Sequence, residues 1–355
     1  MAWKRRLVVA ALIGGIVAML LVWRKRRQPH AIVEGETADT VSFKKPVLII
    51  NPGSGSGKAA KIGLADAAEK LGIETIVRKK GEKGQKIRKL ARRAVDDGCD
   101  HLIIAGGDGS LARVADVSIE RGVPFSCVPS GTRNHFAMDL GLDRSDPVKA
   151  LSAAFEGVPV NVDVGRINNR IFLNNVSFGV YADAIANPDY RNDRTGALLE
   201  ASKDTVEATG SAFSVEDSEG TVHDDIGMLL ASNNPYEFIG PPDFAGRARL
   251  DTGLLGAAMM DRTSVGPGST RRSEVLRRST PTLKVSSDDA KIPVGIDGSL
   301  HKVKAPVTIS IDDHALTVVL PVDVVKRQLG EHVEPTDEAL GHLSGVRGSS
   351  QDSNE

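Results

Sequence analysis

The sequence predicts an α/β domain built on a parallel sheet, followed by a second domain of antiparallel strands. In the first half, short β-branched apolar runs alternate with helical stretches, an order typical of a parallel sheet covered by helices. From Val160 onward, alternating runs at 161–165, 170–173, 227–231 and 307–311 indicate antiparallel strands. The 355 residues exceed the length at which one hydrophobic core usually stops growing, so two domains are expected.

The first domain is predicted over 46–159 and the second over 160–325. In the first domain we expect strands at 47–50, 73–78, 101–105 and 125–128, with helices near 59–71, 83–97, 110–120, 133–140 and 146–156. One helical stretch at about 191–208 interrupts the antiparallel strands of the second domain. Residues 326–355 are polar and end in a run of small and charged residues, which is typical of a disordered tail.

An apolar stretch precedes these domains. It runs without interruption from Leu7 to Trp23, between basic clusters at 4–6 and 24–27. Its length matches the shorter membrane-spanning helices, which need about 17–25 residues. A cleaved signal peptide is the alternative, but a basic cluster follows the run where a small-residue cleavage site would be expected. We therefore predict one transmembrane anchor over 1–27 and a polar linker over 28–45. Positive charge on both flanks leaves the orientation undetermined.

Three glycine-rich turns follow three of the predicted strands. They read NPGSGSGK at 51–58, GGDGS at 106–110 and SGTRN at 130–134. Glycine lets the backbone approach a ligand, and the helix that follows offers free N–H groups to an anion. In open α/β sheets, ligands bind outside the carboxyl ends of the strands. The turns therefore predict a phosphate site assembled from several strands.

The first turn differs from the loop of P-loop nucleoside triphosphatases. That loop needs glycine five residues before its second glycine, and a serine or threonine after its lysine. Here Pro52 stands five residues before Gly57, and Ala59 follows Lys58. The P-loop interpretation is therefore excluded at two positions.

The second turn, at 106–110, resembles a signature shared by diacylglycerol kinases, sphingosine kinases, NAD kinases and phosphofructokinases. The segments at 51–55 and 130–137 resemble motifs of the diacylglycerol and sphingosine kinase type. Two further segments match that family's second-domain landmarks in type and order: FLNNVSFG at 172–179 and IDG at 296–298. The resemblance covers about residues 46–321.

The resemblance implies a β-sandwich as the second domain, ATP and Mg²⁺ as cofactors, and phosphoryl transfer to a lipid hydroxyl. Asp108 is a candidate catalytic residue, and its alternative role is that of a helix N-cap. The candidate nucleotide-binding residues come from all three turns: Asn51, Gly53, Ser54, Gly55, Gly106, Gly107, Asp108, Gly109, Ser110, Gly131, Thr132 and Asn134.

Two positions depart from the family pattern. The family reads Asp-Gly-Glu with the glutamate as general base, whereas this chain reads Asp297, Gly298 and Ser299. A serine hydroxyl is not a base near neutral pH without an activating partner. Asp297 is therefore a second catalytic candidate. Thr252 stands where the family places a metal-linked acid, so we assign no metal ligand.

The leading hypothesis is a membrane-anchored kinase that acts on a diacylglycerol-like lipid of the bilayer. Because ATP is cytosolic, its catalytic body would face the cytoplasm from the cell membrane. The alternative is a pseudokinase that binds nucleotide or lipid without turnover. NAD kinase is a third hypothesis, but that enzyme lacks the first motif and needs no anchor. Lys and Arg total 45 against 46 Asp and Glu, so no net charge indicates a nucleic-acid partner. The lipid's identity stays open, as does a homo-oligomer.

Overall fold

The structure is a computed structural model that describes residues 39–79, 81, 86–179, 182, 213–236, 246–262 and 275–329. The predicted anchor at 1–27, the helical stretch at 191–208 and residues 330–355 of the predicted tail lie outside these ranges. Within them, no helix combines the length and the apolar character needed to cross a membrane.

The described residues form a mixed sheet whose first strands carry helices. The strands are β1 (Pro46–Ile50), β2 (Glu74–Val77), β3 (His101–Gly106), β4 (Phe125–Pro129), β5 (Gly157–Ile167), β6 (Arg170–Phe172), β7 (Asn175–Gly179), β8 (Phe213–Asp217), β9 (Val222–Asn233), β10 (Leu255–Asp261), β11 (Leu276–Thr280), β12 (Thr282–Ser287), β13 (Lys291–Ile296), β14 (Ser299–Lys304) and β15 (Val307–Pro321). The helices are α1 (Lys58–Lys61), α2 (Leu64–Lys70), α3 (Ile87–Asp96), α4 (Asp108–Arg121), α5 (His135–Asp139) and α6 (Val322–Gln328), with short 3₁₀ helices at Ser54–Ser56 and Pro147–Ala154.

The first four strands are parallel. β1 lies between β2 and β3, and β3 pairs with β4 on its other side. Every residue of β1, β3 and β4 is buried, as expected for a parallel sheet covered on both faces. The four predicted strands and their parallel arrangement are confirmed. The ends of β1, β3 and β4 therefore bring the three glycine turns to one edge.

Two of the predicted helices differ from the expectation. The helix expected at 59–71 is divided into α1 and α2 at Gly63, which adopts a left-handed conformation with φ +61°. The helix expected at 146–156 is a 3₁₀ helix that begins at Pro147. The apolar period of a helix does not reveal such local changes in backbone conformation.

The second half of the chain is antiparallel, as predicted. Its strands follow the order β14, β13, β7, β9, β8, β12 and β15, and β10 joins β9 with β11 beyond it. Their inward-facing residues form a second apolar core around Phe172, Phe178, Leu229, Met259 and Ile309.

The long strand β15 belongs to both halves. It pairs with β12 near its start, with β5 along most of its length, and with β4 in parallel at Val318 and Phe125. Leu316, Val318 and Leu320 pack into the core of the first half. The boundary expected at 159/160 thus falls inside β5, because β5 and β15 together complete the first half.

Both ends of the described body extend past the expected boundaries. Val41, within the expected linker, exchanges backbone hydrogen bonds of 2.8 and 3.1 Å with Gly157. Helix α6 crosses the boundary drawn at 325, and the Gln328 side chain donates to the Leu140 carbonyl at 3.0 Å. Single contacts of this kind leave no period in the sequence, so the sequence alone does not reveal them.

Candidate active site

The three glycine turns meet backbone to backbone. A Cβ atom on Gly131 would lie 2.4 Å from the Gly107 Cα, and one on Gly55 would lie 2.4 Å from the Ser130 carbonyl oxygen. Real Cβ atoms do not approach other atoms so closely, and Gly55 in addition has φ +56°. Only glycine permits this packing of the three turns.

Side chains from the first and third turns fix the second one. The N–H of Gly107 donates to Ser54 Oγ at 3.3 Å. The Asn134 side chain donates from Nδ2 to the Gly106 carbonyl at 2.7 Å, and Asn134 itself is left-handed with φ +53°. Since each turn contacts the next, the predicted nucleotide residues form one connected surface.

Asn51 joins this surface to the start of α4 and to the strand edge. Its Nδ2 donates to Ser110 Oγ at 2.8 Å, while its Oδ1 accepts from Arg78 at 3.1 Å. Ser110 is buried, so this bond holds the end of β1 against the turn after β3. Of the remaining predicted residues, Gly53 and Thr132 are exposed and Gly109 is half-buried.

Two buried polar atoms at the junction differ in role: the Ser130 hydroxyl can donate to a phosphate oxygen, whereas the Asn134 amide oxygen can only accept a hydrogen bond. Within the ranges that the structure covers, Ser130 Oγ and Asn134 Oδ1 are buried without a hydrogen-bond partner. Buried polar groups are normally paired, and unpaired ones are often completed by a ligand or water. The N-terminus of α4 also directs its positive dipole end at this point. The residues present therefore fit the triphosphate and polar groups of ATP.

Asp108 lies at the first position of α4, where Gly107 is the N-cap. Gly107 has no side chain, so the N-cap position of α4 makes no side-chain hydrogen bond. The Asp108 carboxylate accepts from the backbone N–H of Phe136 in α5, at 3.3 Å. The alternative role as N-cap of its own helix is thus wrong, and the half-buried carboxylate faces the third turn.

Asp297 lies at the turn between β13 and β14, with φ +45°. Its carboxylate accepts from the backbone N–H groups of Leu173, Asn174 and Asn175 at 3.0, 2.8 and 3.2 Å. Burial raises the pKa of Asp297 to about 6, against the lowering effect of these donors, and the nearby charge of Asp108 acts in the same direction as burial. The charge of Asp108 thus acts on the carboxylate of Asp297, although the two residues come from different halves of the chain.

The family's glutamate position is an exposed serine in this structure. Ser299 is the first residue of β14 and pairs with Ile296 across the hairpin. Its hydroxyl has no hydrogen-bond partner among the described residues. Strand β14 contains no carboxylate, and Asp297 is the acid nearest to Ser299 in the sequence.

The position of the missing metal-linked acid is also filled by other contacts. The N–H and hydroxyl of Thr252 both donate to Asn234 Oδ1, at 2.8 and 2.6 Å. Asp251 forms an ion pair with Arg249 at 2.8 Å. Asp251 is thus engaged with a cation and does not replace the acid at Thr252.

An acidic cluster beside this segment was not predicted from the sequence. Ligand atoms of Asp163, Asp313 and His314 lie within 4.8 Å of one another. Asp163 is buried and accepts from the N–H groups of Gly253 and His314, and its burial raises its pKa. These are oxygen and nitrogen ligands that a divalent cation accepts, but the backbone already satisfies Asp163. Its members are 150 residues apart, so no local motif could reveal it.

A buried ion pair connects the two halves and was also missed. Arg247 Nη2 lies 2.6 Å from Asp139 Oδ2, and the arginine side chain is fully buried. Asp139 ends α5, which starts directly after the third glycine turn. An arginine in a loop and an aspartate in a short helix carry no signal in the sequence that would predict this contact.

Residues 45–167 match the family model for the diacylglycerol kinase catalytic domain. The chain carries a diacylglycerol kinase catalytic domain. A probable YegS-like lipid kinase of Pseudomonas aeruginosa is 28% identical over 298 residues, which cover 78% of this chain and 95% of that protein. A Mycobacterium tuberculosis diacylglycerol kinase is 30% identical over 127 residues, which cover 35% of this chain and 41% of that protein. The domain match runs from β1 through β5 and includes all three glycine turns.

A solved structure supports the same fold. The crystal structure of a diacylglycerol kinase from Bacillus anthracis covers 80% of this chain and 99% of its own, at 20% identity and a TM-score of 0.60. The coverage extends past the domain match into the antiparallel half. The likeness of the fold thus covers both halves of the chain.

Proposed function

We propose that this protein is a lipid kinase that transfers the γ-phosphate of ATP to the hydroxyl of a diacylglycerol-like lipid. The observation that carries the proposal is the junction of three glycine turns, which includes Asp108, a residue whose charge acts on the carboxylate of Asp297. The diacylglycerol kinase domain and the named lipid kinases among its relatives support it. The antiparallel half would be the β-sandwich that receives the lipid.

Each side of the site has its own task in this reaction. The glycine turns and the start of α4 would hold the triphosphate through backbone N–H groups, and Mg²⁺ bound with ATP would neutralise phosphate charge. Asp297 in its ionised form would accept the proton of the lipid hydroxyl, and its pKa of about 6 leaves it ionised at neutral pH. Asp108 would contact the nucleotide side, either directly or through the metal's water.

A second candidate function is binding of nucleotide or lipid without transfer. It is favoured by Ser299, which supplies no carboxylate. It is also favoured by the three backbone donors that already occupy Asp297. Under this alternative the glycine turns would bind ATP normally, while no lipid would gain phosphate.

Transfer of labelled phosphate separates the two functions. Purified full-length protein is incubated with γ-labelled ATP, Mg²⁺ and vesicles that contain one hydroxyl lipid at a time. Labelled lipid that depends on the added protein supports the kinase. ATP binding by calorimetry together with no labelled lipid, across diacylglycerols, monoacylglycerols and sphingoid bases, supports the alternative.

We also propose that residues 1–27 anchor the protein in the cell membrane, with the body on the cytoplasmic side where ATP is available. The support is the apolar stretch from Leu7 to Trp23 and its basic flanks. A chain that begins at Ala31 keeps all described residues, so it should stay folded and bind ATP. Its activity on vesicles should fall because the anchor raises the local enzyme concentration. Equal sedimentation of both chains with vesicles would contradict the anchor.

A further inference from the structure

Among the described residues, Arg247 has the largest side chain that is fully buried. A buried guanidinium is costly unless each of its donors is paired. Here Nε donates to Asp139 at 2.8 Å, and Nη1 donates to the carbonyls of Leu173 and Asn233 at 2.6 and 2.8 Å. Nη2 donates to the Asn174 side-chain oxygen at 3.0 Å. Arg247 thus fixes several separate segments at one point.

One of these segments, residues 173–175, binds the carboxylate of Asp297, the candidate base. We call residues 173–175 the clamp loop, because their three N–H groups donate to the Asp297 carboxylate. The same loop is bound by Arg247 through the Leu173 carbonyl and the Asn174 side chain. The clamp loop therefore lies between Arg247 and Asp297, and its position decides where the carboxylate of Asp297 lies.

The other side of Arg247 leads to the nucleotide turns. Its partner Asp139 is the last residue of α5, and Phe136 in the same short helix donates its N–H to Asp108. Asp139 is itself buried. A continuous series of contacts thus runs from Asp108 through α5 to Arg247, and from there through the clamp loop to Asp297.

We propose that Arg247 is a positioning residue for phosphoryl transfer, which sets the Asp297 carboxylate against Asp108 and the third glycine turn. The proposal rests on the proposed kinase function. Arg247 does not contact the reacting atoms; it acts through Asp139 and the clamp loop. Because α5 starts at the third turn, this one buried pair connects the nucleotide side of the site to its lipid side.

Lysine can keep the charge of Arg247 but not its geometry. A guanidinium offers five donors in a planar fork, whereas an ammonium is a compact point charge. In Arg247→Lys the ion pair with Asp139 can persist, while the ammonium cannot reach the Leu173 and Asn233 carbonyls and Asn174 together. The variant therefore loosens the clamp loop without leaving Asp139 as an unpaired buried charge, which would be strongly destabilising.

The first measurement compares kcat with nucleotide affinity. In Arg247→Lys, we expect kcat to fall by about 10²-fold, since a misplacement of about 1 Å costs that much, while the Kd for ATP stays near that of the wild type. Arg166→Lys is the matched control, because the Arg166 side chain pairs with Asp312 between β5 and β15 and makes no hydrogen bond to the clamp loop among the described residues. Equal kcat values in both variants would overturn the proposal.

A double-mutant cycle separates positioning from general loss of structure. If Arg247 acts through Asp297, then Arg247→Lys should reduce kcat no further in a protein that already carries Asp297→Asn. A merely structural role predicts that the two losses multiply, and that result would overturn the proposal. Thermal unfolding of all variants checks that they remain folded.

A titration of Asp297 tests the same point without any turnover. The pKa of Asp297 in carboxyl-carbon NMR should be higher in Arg247→Lys than in the wild type, because donors that favour the ionised form are lost. The groups that face Asp297, Asp108 from α4 and Tyr236 beside Arg247, are unchanged, and lysine keeps the positive charge. An unchanged pKa would overturn the proposal. If the wild type labels no lipid but the pKa rises, only the kinase function fails.

Asn174→Ala serves where Arg247→Lys does not fold. It removes one contact between Arg247 and the clamp loop and leaves the pair with Asp139 in place. The kcat should fall by a smaller factor, and the pKa of Asp297 should again rise. No change in either quantity would overturn the proposal.

Discussion

The nucleotide side of the site and its lipid side differ in how completely they keep what phosphoryl transfer needs. On the nucleotide side, three glycine turns contact one another so closely that Gly131 and Gly55 accept no side chain. On the lipid side, Ser299 and Thr252 stand in place of two family acids, and the remaining acid, Asp297, is held by backbone donors. Under the proposed function, the difference implies that nucleotide binding and turnover can be separated, because different segments of the chain would carry them.

The largest expected effect comes from Asp108, which belongs to the nucleotide side. Asp108→Asn should reduce phosphoryl transfer by about 10²-fold or more, because the negative charge is lost where general-base or metal contacts act. Asparagine can still accept from the Phe136 N–H, so the melting temperature should change little. Transfer of labelled phosphate and thermal unfolding measure the two quantities.

Asp116→Asn is the control, since Asp116 lies on the same helix and pairs with Arg88 on the surface. Turnover near that of the wild type in Asp108→Asn would remove Asp108 from the catalytic residues.

A substitution on the lipid side should raise activity, whereas the substitution of Asp108 lowers it. Ser299→Glu should raise kcat, because it adds a second carboxylate that can accept the proton beside Asp297, and the exposed serine leaves room for the longer side chain. The measurement is kcat on one lipid substrate for wild type, Ser299→Glu and Asp297→Asn. A robust wild type that gains nothing from glutamate and loses activity in Asp297→Asn would show that Asp297 already acts as the base.

Packing of the glycine turns should control ATP affinity by a smaller factor. Gly131→Ala places a Cβ 2.4 Å from the Gly107 Cα, so the second and third turns must separate. We expect the Kd for ATP to rise by about 10–100-fold, measured by calorimetry. Gly53→Ala meets its nearest atom only at 4.0 Å and should have a smaller effect. The reverse order of the two variants would contradict the close contact of the turns.

The effect of pH on kcat/KM should be the smallest of these effects when the pH is near neutral. The Asp297 carboxylate is competent as a base only when ionised, and its pKa is raised to about 6. The value of kcat/KM should therefore level off above about pH 6 and fall about tenfold per unit below it. In Ser299→Glu, a second carboxylate should move this fall to lower pH. A wild-type profile without a fall near pH 6 would argue against Asp297 as the base.

The sequence predicted the first half of the fold better than the contacts of the site. Fully buried β-branched runs gave β1, β3 and β4, and the glycine turns at their ends followed from the parallel arrangement. The three turns were also predicted to form one phosphate site; the structure shows that they contact one another, and their role in binding phosphate stays a prediction. These features are local, so each leaves a pattern that a single sequence reveals.

The features that were missed depend on residues distant in the sequence. Arg247 meets Asp139 across 108 positions, and the backbone donors of the clamp loop reach Asp297 across more than 120. The alternative role of Asp108 was to cap its own helix, α4. Its carboxylate instead accepts from the backbone N–H of Phe136 in α5. Ion pairs and backbone donors carry no periodicity, and tertiary packing alone decides where they form.

The course of β15 has a consequence for how the protein is made. The core around the nucleotide turns contains Leu316, Val318 and Leu320, and Ser126 in β4 donates to the Val319 carbonyl at 2.6 Å. When all three glycine turns of a nascent chain have left the ribosome, the chain still lacks β15, which supplies part of the core of the first half. Folding of the nucleotide half must wait until about 200 further residues have emerged, although domains usually fold in order from the N-terminus. Chains released early, before Val307, should be unable to bind ATP and should be removed by proteases.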